Sequence, residues 1–493
     1  TKLTFKKEMF KNCSSLKSLD LPQDISKIGN YIPQVIDRTQ QPKDTCKLSQ
    51  FLQTVKDDND EWDVMLKANR AMLELFHHGA GPVHINLTTT YSKDFSVESL
   101  PSVNIIKRYG VLSKLPELPN CKIAIYVGSH LHWSDSLLKA VDAFCERHHA
   151  VVFTDPTANY GGNYGVCYEH VAKQAANRNN NVDLLIHIGE VSDMYDIVIP
   201  ANVWRVSEDG ELRDTYRKLK RVFEMPEEFF FNYYSKQNCA GTDADFLQKC
   251  RTREFEVNSK IPDLPFSHLW IAQKLSPIMP ERCVLHLGIL SPLRSWSYFH
   301  LSPTIECLCN QGGFGIDGNM STLIGASQVN KERLHFIVVG DLSFFYDLNS
   351  LGNRHIANNI RILLINNGLG EEFKLFKQQN SIYVNEVEKF IAAEGHFGKM
   401  SPSLVRHLAE DLGFEYMTAC GKESFEKVYE HFISSERNEK PIIFECFTNS
   451  EDENIALKHI YNTEYCLKAE LTKKAKKIIG PEGVQLAKKI LGK

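Results

Sequence analysis

The chain has 493 residues, of which 43% are hydrophobic, with 57 Lys+Arg against 61 Asp+Glu for a formal charge of -4, enough length for two or three domains with cores of their own. No basic excess exists to neutralise a phosphate backbone, so nucleic acid is not an expected partner; no apolar run approaches the length of a membrane span, and the start at Thr1 lacks a signal-peptide apolar core, so a cytoplasmic protein is expected. Thirteen cysteines, an odd number without CxxC spacing, read as reduced thiols, with Cys307 and Cys309 as small residues beside a Gly-rich loop.

Along the chain, a helix is predicted over 60–77, ahead of Pro82-Val-His-Ile-Asn86. Strand, helix and strand patterns follow at 122–128, 134–148 and 150–154, with further strands at 183–189 and 202–206, which predicts a doubly wound α/β domain. Gly128 and Gly189 end strands without opening a GxGxxG loop, so their expected role is structural. The polar stretch 235–244 reads as a domain boundary or a loop at one. A third α/β region carries apolar strands at 335–339 and 361–365 and closes with a strand at 441–446. Beyond it, 464–493 is a lysine-rich helical tail interrupted at Gly480-Pro481, read as a solvated helix covering a domain edge.

The most informative residues are Gly340-Asp341-Leu342-Ser343 and Asn366-Asn367-Gly368. A buried strand ends in a glycine whose missing side chain lets a phosphate approach the backbone. Asp341 then supplies a hard oxygen for Mg²⁺, Asn367 at the end of the next strand a second, and the carbonyl of Leu369 a third, with a diphosphate and water filling the remaining positions. A crossover helix over 347–358 is expected between the two strands, since parallel neighbours require one. An ordinary βαβ unit could carry either loop alone; two loops of this chemistry at this spacing favour a diphosphate and metal site at the carboxyl ends of neighbouring strands.

The Gly-Asp … Asn-Asn spacing resembles the thiamine diphosphate signature. Together with Cys309-Asn-Gln-Gly-Gly-Phe-Gly-Ile-Asp-Gly-Asn-Met-Ser-Thr322, Gly340 through Leu351, Gly81-Pro-Val-His-Ile-Asn86 and Ile442-Ile-Phe-Glu-Cys446, it is similar to the 2-succinyl-5-enolpyruvyl-6-hydroxy-3-cyclohexene-1-carboxylate (SEPHCHC) synthases of menaquinone biosynthesis, over about 24–459. The resemblance implies a thiamine diphosphate-binding fold, parallel sheets flanked by helices in successive domains. The expected division is 1–95 as a remnant of the pyrimidine-binding domain, 96–240 as a central domain, 241–463 as the diphosphate and Mg²⁺ domain, and 464–493 as the tail. It also implies a decarboxylase/carboligase that takes a 2-oxo acid and an acceptor, as a homodimer or homotetramer.

Residue by residue, the resemblance implies that Gly340, Asp341, Leu342 and Ser343 hold the diphosphate. Ile316 supports the folded cofactor, and Gln34 reaches the cofactor or reactants across a subunit interface. Arg294 and Gln311 fall on substrate-binding positions. In the family's Asn-Arg-Gly motif an arginine grips a substrate carboxylate, whereas this chain has Asn310-Gln311-Gly312, and the family's serine four residues before the second arginine falls on Leu290. A neutral amide cannot form the bidentate charged pair of an arginine. The glutamate that contacts the aminopyrimidine has no counterpart here: too few residues precede Asp24 to build its sheet, and Glu8 has no matching motif around it. Two alternatives therefore stand beside the synthase: a paralogue in surface-polysaccharide or secondary metabolism using another 2-oxo acid, and a truncated noncatalytic chain that binds the cofactor. His84 and His396 have motif-like surroundings and are expected to be structural.

Overall fold

The computed structural model describes residues 41–88, 103–131, 133–172, 181–191, 198–238, 241–313, 315–375 and 401–464, with a few isolated positions between them. Among these residues the strands are β1 (Leu48–Leu52), β2 (Val83–Leu87), β3 (Lys107–Gly110), β4 (Ile123–Val127), β5 (Val151–Thr154), β6 (Gly165–Cys167), β7 (Asn181–Ile188), β8 (Ile199–Val206), β9 (Leu219–Glu224), β10 (Val284–Leu287), β11 (Glu306–Cys309), β12 (His335–Gly340), β13 (Ile360–Asn366), β14 (Glu415–Ala419) and β15 (Ile442–Phe447). The architecture is α/β, with parallel sheets flanked by helices, as the sequence predicts and as a thiamine diphosphate-binding fold requires. No helix among the described residues is long and apolar enough to cross a membrane.

The chain divides into two compact units, one formed by Thr1–Glu117, Leu184–Ile186 and Pro200–Phe230, the other by Leu118–Asp183, His187–Ile199 and Phe231–Lys493. In the first, β1 and β2 pair in parallel with Leu48 opposite Val83. The helix Asp58–Glu74 connects them, started by Asp57, whose carboxylate accepts the amides of Asn59 and Asp60 at 2.9 and 3.0 Å. Val64, Ala71 and Leu75 pack on Leu52, Val83 and Ile85 to close a small core. In the same unit β9 pairs in parallel with both β3 and β8.

In the second unit β4 pairs with β5 and β5 with β6, all in parallel. The helix Asp135–His148 begins at the predicted place because the Ser134 hydroxyl accepts the Leu137 amide at 3.1 Å. The six-stranded sheet has the order β11-β10-β12-β13-β15-β14, and every recorded pairing in it is parallel. Its central strands are buried on both faces, which is why they read as nearly unbroken apolar runs. Period two divides their side chains between two cores. Phe336, Val338, Leu363, Ile365 and Phe444 face one core with Leu269, Trp296 and Leu457; Ile337, Val339, Ile362, Leu364 and Ile443 face the other with Met320, Leu323, Phe344 and Val405.

The crossover between β12 and β13 departs from expectation. Its α-helix is Asp341–Tyr346, starting immediately after the strand, and 347–358 supplies only the 3₁₀ segment Leu348–Gly352. Two polar side chains divert the segment from helix. Asp347 accepts the Ser321 amide at 2.7 Å, and Asn353 accepts the His355 amide at 2.9 Å in an Asx turn.

Candidate active site

The strand order reverses at β10, whose neighbours are β11 on one side and β12 on the other. Connections leaving adjacent strands in opposite directions open a crevice at their carboxyl ends, where open α/β sheets bind ligands. The loop after β10 enters that crevice through Leu290, a non-glycine residue held at φ +66° and ψ -116°. The loop after β12 supplies Gly340 and Asp341. A β carbon at Gly340 would meet no atom within 4 Å, so the backbone there faces open space.

The expected juxtaposition of the two loops is present. Gly340 lies opposite Ile365 in the β12–β13 register. One oxygen of buried Asp341 accepts the Gly368 amide at 2.6 Å, and the other accepts the Leu342 amide at 2.7 Å. Gly368 turns the chain at φ +78°, which aims its amide at the carboxylate. The Asn367 side-chain oxygen accepts the Leu369 amide at 3.1 Å, while its nitrogen donates to Glu371 at 3.0 Å. Asp341, Asn367 and Leu369 thus lie on two turns tied together by hydrogen bonds. Of the turn amides expected to meet a phosphate, Leu342's is engaged by Asp341.

Three further carboxyl groups converge on this end of the sheet, and none was anticipated. Glu371 is pushed up to about 7 by burial and by the charge of Asp341, against the Ser450 hydroxyl that donates to it at 2.9 Å. Glu445, on β15, is raised by burial although Asn366 and Tyr416 each donate to it at 2.7 Å. Glu453 is pushed up to about 8, by burial first and then by Glu371, and accepts the His268 amide with both oxygens at 3.0 and 3.1 Å. Burial and like charge act in the same direction. The end of the sheet therefore holds carboxylates poorly compensated by the protein itself.

Beside them, Ser343 donates to the carbonyl of Ile316 at 2.6 Å, and the buried Asn319 amide donates to that carbonyl and to the Ser343 hydroxyl, both at 3.0 Å. This ties the Gly-rich loop to the turn after β12. Asn319 lies inside the quoted Gly-Asn-Met-Ser motif, so its place was readable though its role was not.

No protein-family model matches the chain. It is 32% identical over 445 residues to the 2-succinyl-5-enolpyruvyl-6-hydroxy-3-cyclohexene-1-carboxylate synthase of Phocaeicola vulgatus, a match covering 84% of this chain and 76% of that protein. The synthase of the same name from Bacteroides fragilis is 31% identical over 450 residues, 84% of this chain and 76% of its own. That of Bacteroides thetaiotaomicron is 30% identical over 465 residues, covering 88% and 80%. The chain belongs to the SEPHCHC synthase family.

In this member of the SEPHCHC synthase family, the two residues expected to bind substrate have distinctive surroundings. Arg294, buried on the helix Ser291–Trp296, donates from Nη2 to both oxygens of Glu372 at 3.1 and 2.9 Å, so an internal carboxylate holds its guanidinium. Gln311 is 5% exposed and its side-chain nitrogen makes no hydrogen bond, an arrangement that costs about 1–3 kcal/mol until an acceptor arrives. His268 is pushed down to about 3 by burial and the nearby Arg294. Gln34, Glu8 and His396 lie outside the described residues. His84 is on β2, where its Nδ1 lies 2.9 Å from the Ser49 hydroxyl.

Proposed function

We propose that the chain is a thiamine diphosphate- and Mg²⁺-dependent enzyme that decarboxylates a 2-oxo acid and joins the resulting acyl unit to an acceptor, as the resemblance to the SEPHCHC synthases of menaquinone biosynthesis implies. The observation that carries the reading is the pair of turns Gly340–Ser343 and Asn366–Leu369, hydrogen-bonded to each other among carboxylates that burial and mutual repulsion push upward.

The residues present fit the group. A dication relieves the repulsion of Asp341 with Glu371 and with Glu445, and the donors assigned to it are oxygens, which suits Mg²⁺. The open backbone at Gly340 gives a phosphate room. We assign the metal to Asp341, Asn367 and the Leu369 carbonyl, and the diphosphate to Gly340 and Ser343, with Leu342 positioning Asp341. Ile316 would support the cofactor rings, and Gln34 would contact cofactor or reactants. When bound, thiamine diphosphate supplies the carbanion chemistry; the chain's residues bind, orient and desolvate. Residues 1–95, 96–240 and 241–463 are proposed as the pyrimidine-side, central and diphosphate domains of a cytoplasmic homodimer or homotetramer.

Calorimetric titration of thiamine diphosphate with and without Mg²⁺ tests the reading. Binding should require Mg²⁺, and Asp341→Ala should weaken it by more than ~10-fold, the equivalent of ~1.5–3 kcal/mol for a hydrogen-bonded charged group. Equal affinity of the variant and the parent would remove the metal site from Asp341.

A second reading is a paralogue that uses another 2-oxo acid or acceptor, favoured by one observation: Gln311 offers a buried neutral amide where the family motif has a cation. Turnover with isochorismate and 2-oxoglutarate should then be poor, and Gln311→Arg should improve it. Full synthase activity with Gln311 in place would discard the paralogue.

A further inference from the structure

We propose that Cys167, His170 and Glu254, with His300 as fourth ligand, form a structural zinc site. The site shares no residue with the turns after β12 and β13. β6 ends at Cys167 and runs directly into the helix Tyr168–Ala172, so Cys167 and His170 sit three residues apart across one helical turn. Glu254 comes from the helix Phe246–Ser259. The thiol sulfur, an imidazole nitrogen and a carboxylate oxygen of these three residues all lie within 4.8 Å of one another. Zinc bonds of about 2.0–2.3 Å place ligand atoms roughly 3.5 Å apart, so small side-chain adjustments suffice.

Internal bonds already aim the set. Glu254 accepts the Cys167 amide at 3.0 Å, which fixes the carboxylate beside the sulfur, and the Cys167 thiol donates to the Ser297 carbonyl at 3.3 Å. His300 Nε2 lies 2.7 Å from the same Glu254 oxygen, bringing a second imidazole to the cluster. The independent observation is His170. It is 1% exposed, and neither ring nitrogen makes a hydrogen bond. Buried polar groups are paired in the great majority of cases; an ion would use the lone pair of one His170 nitrogen among a thiol, a carboxylate and a second imidazole, and would leave the other N–H to the backbone of Tyr298 beside it. The chemistry favours zinc, since a soft sulfur, nitrogens and one oxygen suit tetrahedral Zn²⁺ and not the all-oxygen sets of Mg²⁺ or Ca²⁺. Cys167 and His300 also line a cavity of about 100 Å³ together with Asp155, Asn159 and Ser297, which provides an entry path.

The test uses the full chain, stripped of metal and titrated with Co²⁺ as a spectroscopic stand-in for Zn²⁺. Expected are tetrahedral cobalt bands, a thiolate-to-cobalt charge-transfer band saturating at about one equivalent, and displacement of both by Zn²⁺ with a rise in melting temperature. The band must come from Cys167, so Cys167→Ser should abolish it. His77, His78 and Glu224, the other such group among the described residues, contain no sulfur and cannot produce it. If Cys167→Ser fails to fold, the surface variant His300→Ala carries the test: the charge-transfer band should persist while Co²⁺ affinity falls by at least ~10-fold, since losing a ligand costs no less than the ~10–100-fold typical of losing a partner that only orients one. A parent chain without the charge-transfer band, or a band that survives Cys167→Ser, would overturn the site.

Discussion

At Gly128 a β carbon would lie 2.0 Å from the Glu190 carbonyl oxygen, whereas at Gly340 it would meet nothing within 4 Å. Both glycines follow or end a buried parallel strand of the second unit, and in sequence they look alike. Around Gly128 the space is filled by the chain itself: its amide donates to Ile188 at 3.0 Å, the Glu190 amide donates to Ser129 at 2.8 Å, and Gly189 turns at φ +74°. Two loops pass backbone against backbone, and nothing else fits. Around Gly340 the backbone is open and the neighbouring loops bring carboxylates. A strand-end glycine is therefore informative only with its surroundings. At 128 it permits chain packing; at 340 it leaves room for a ligand.

The largest expected effect tests the closed member of the pair. Gly128→Ala forces the backbone at Glu190 to move and should cost ~3 kcal/mol in denaturant unfolding, the upper part of the range for overpacked positions. Stability equal to the parent would mean that the two loops do not pack as described.

The open end should differ in pH dependence. Glu453 has a folded pKa near 8 against an ordinary 4.5, so the folded chain binds its proton more tightly than the unfolded chain. The resulting stabilisation is complete below about 4.5 and is lost as pH rises through about 8. Without ligand, stability should fall across that window by roughly 4 kcal/mol from this group, and Glu371 adds a change of the same sign. Glu453→Gln keeps an acceptor for the His268 amide but removes the proton, so the slope of stability against pH should flatten. An unchanged slope would mean that Glu453 is not the buried acid.

A smaller effect is expected at the open glycine. Gly340 has φ -76° and ψ 161°, which any residue adopts, so Gly340→Ala should leave stability within ~1 kcal/mol. The same methyl occupies the space assigned to the diphosphate and should weaken Mg²⁺-dependent thiamine diphosphate binding ~10-fold in calorimetry. Full affinity would mean that the space is not used.

The same contrast explains what sequence reading could reach. β12 and β13 were legible within a residue or so of their ends, because strands buried on both faces are written as apolar runs. The meeting of Asp341 with the Asn367 turn was legible too, because adjacent parallel strands deliver their ends to one place. Glu453 was not. It sits in the first turn of the helix Ser450–Tyr461, where an acid normally complements the helix dipole, and only the fold sets its carboxylate on the amide of His268, 185 residues away in sequence. Glu371 follows the Asn366-Asn367-Gly368 turn and Glu445 lies inside Ile442-Ile-Phe-Glu-Cys446, but the burial of both depends on neighbouring strands and helices. The crossover failed for a local reason, since Asp347 and Asn353 spend their side chains on turns and a neighbouring helix.

The smallest effect concerns Leu290, where the loop after β10 enters the open crevice. A φ of +66° with ψ of -116° is a conformation that glycine reaches freely and that costs an L-residue about 1–3 kcal/mol. The surroundings enforce it: the Leu290 carbonyl accepts the Arg294 amide at 2.8 Å and thereby starts the helix that presents Arg294 to Glu372. Leu290→Ala removes the half-buried side chain but keeps the strain, and should lose ~1 kcal/mol. Leu290→Gly removes both, at the price of a more flexible unfolded chain worth ~0.4–1 kcal/mol. The comparison of the two variants isolates the backbone term. Glycine should come out as stable as alanine or more so by up to ~1 kcal/mol, the reverse of the usual order in which alanine is the more stable, and chemical denaturation of both resolves a difference of that size. If alanine proves clearly more stable than glycine, the backbone at the end of β10 is relaxed, and the contrast between a packed strand end at Gly128 and a strained, open crevice beside Gly340 loses one of its two supports.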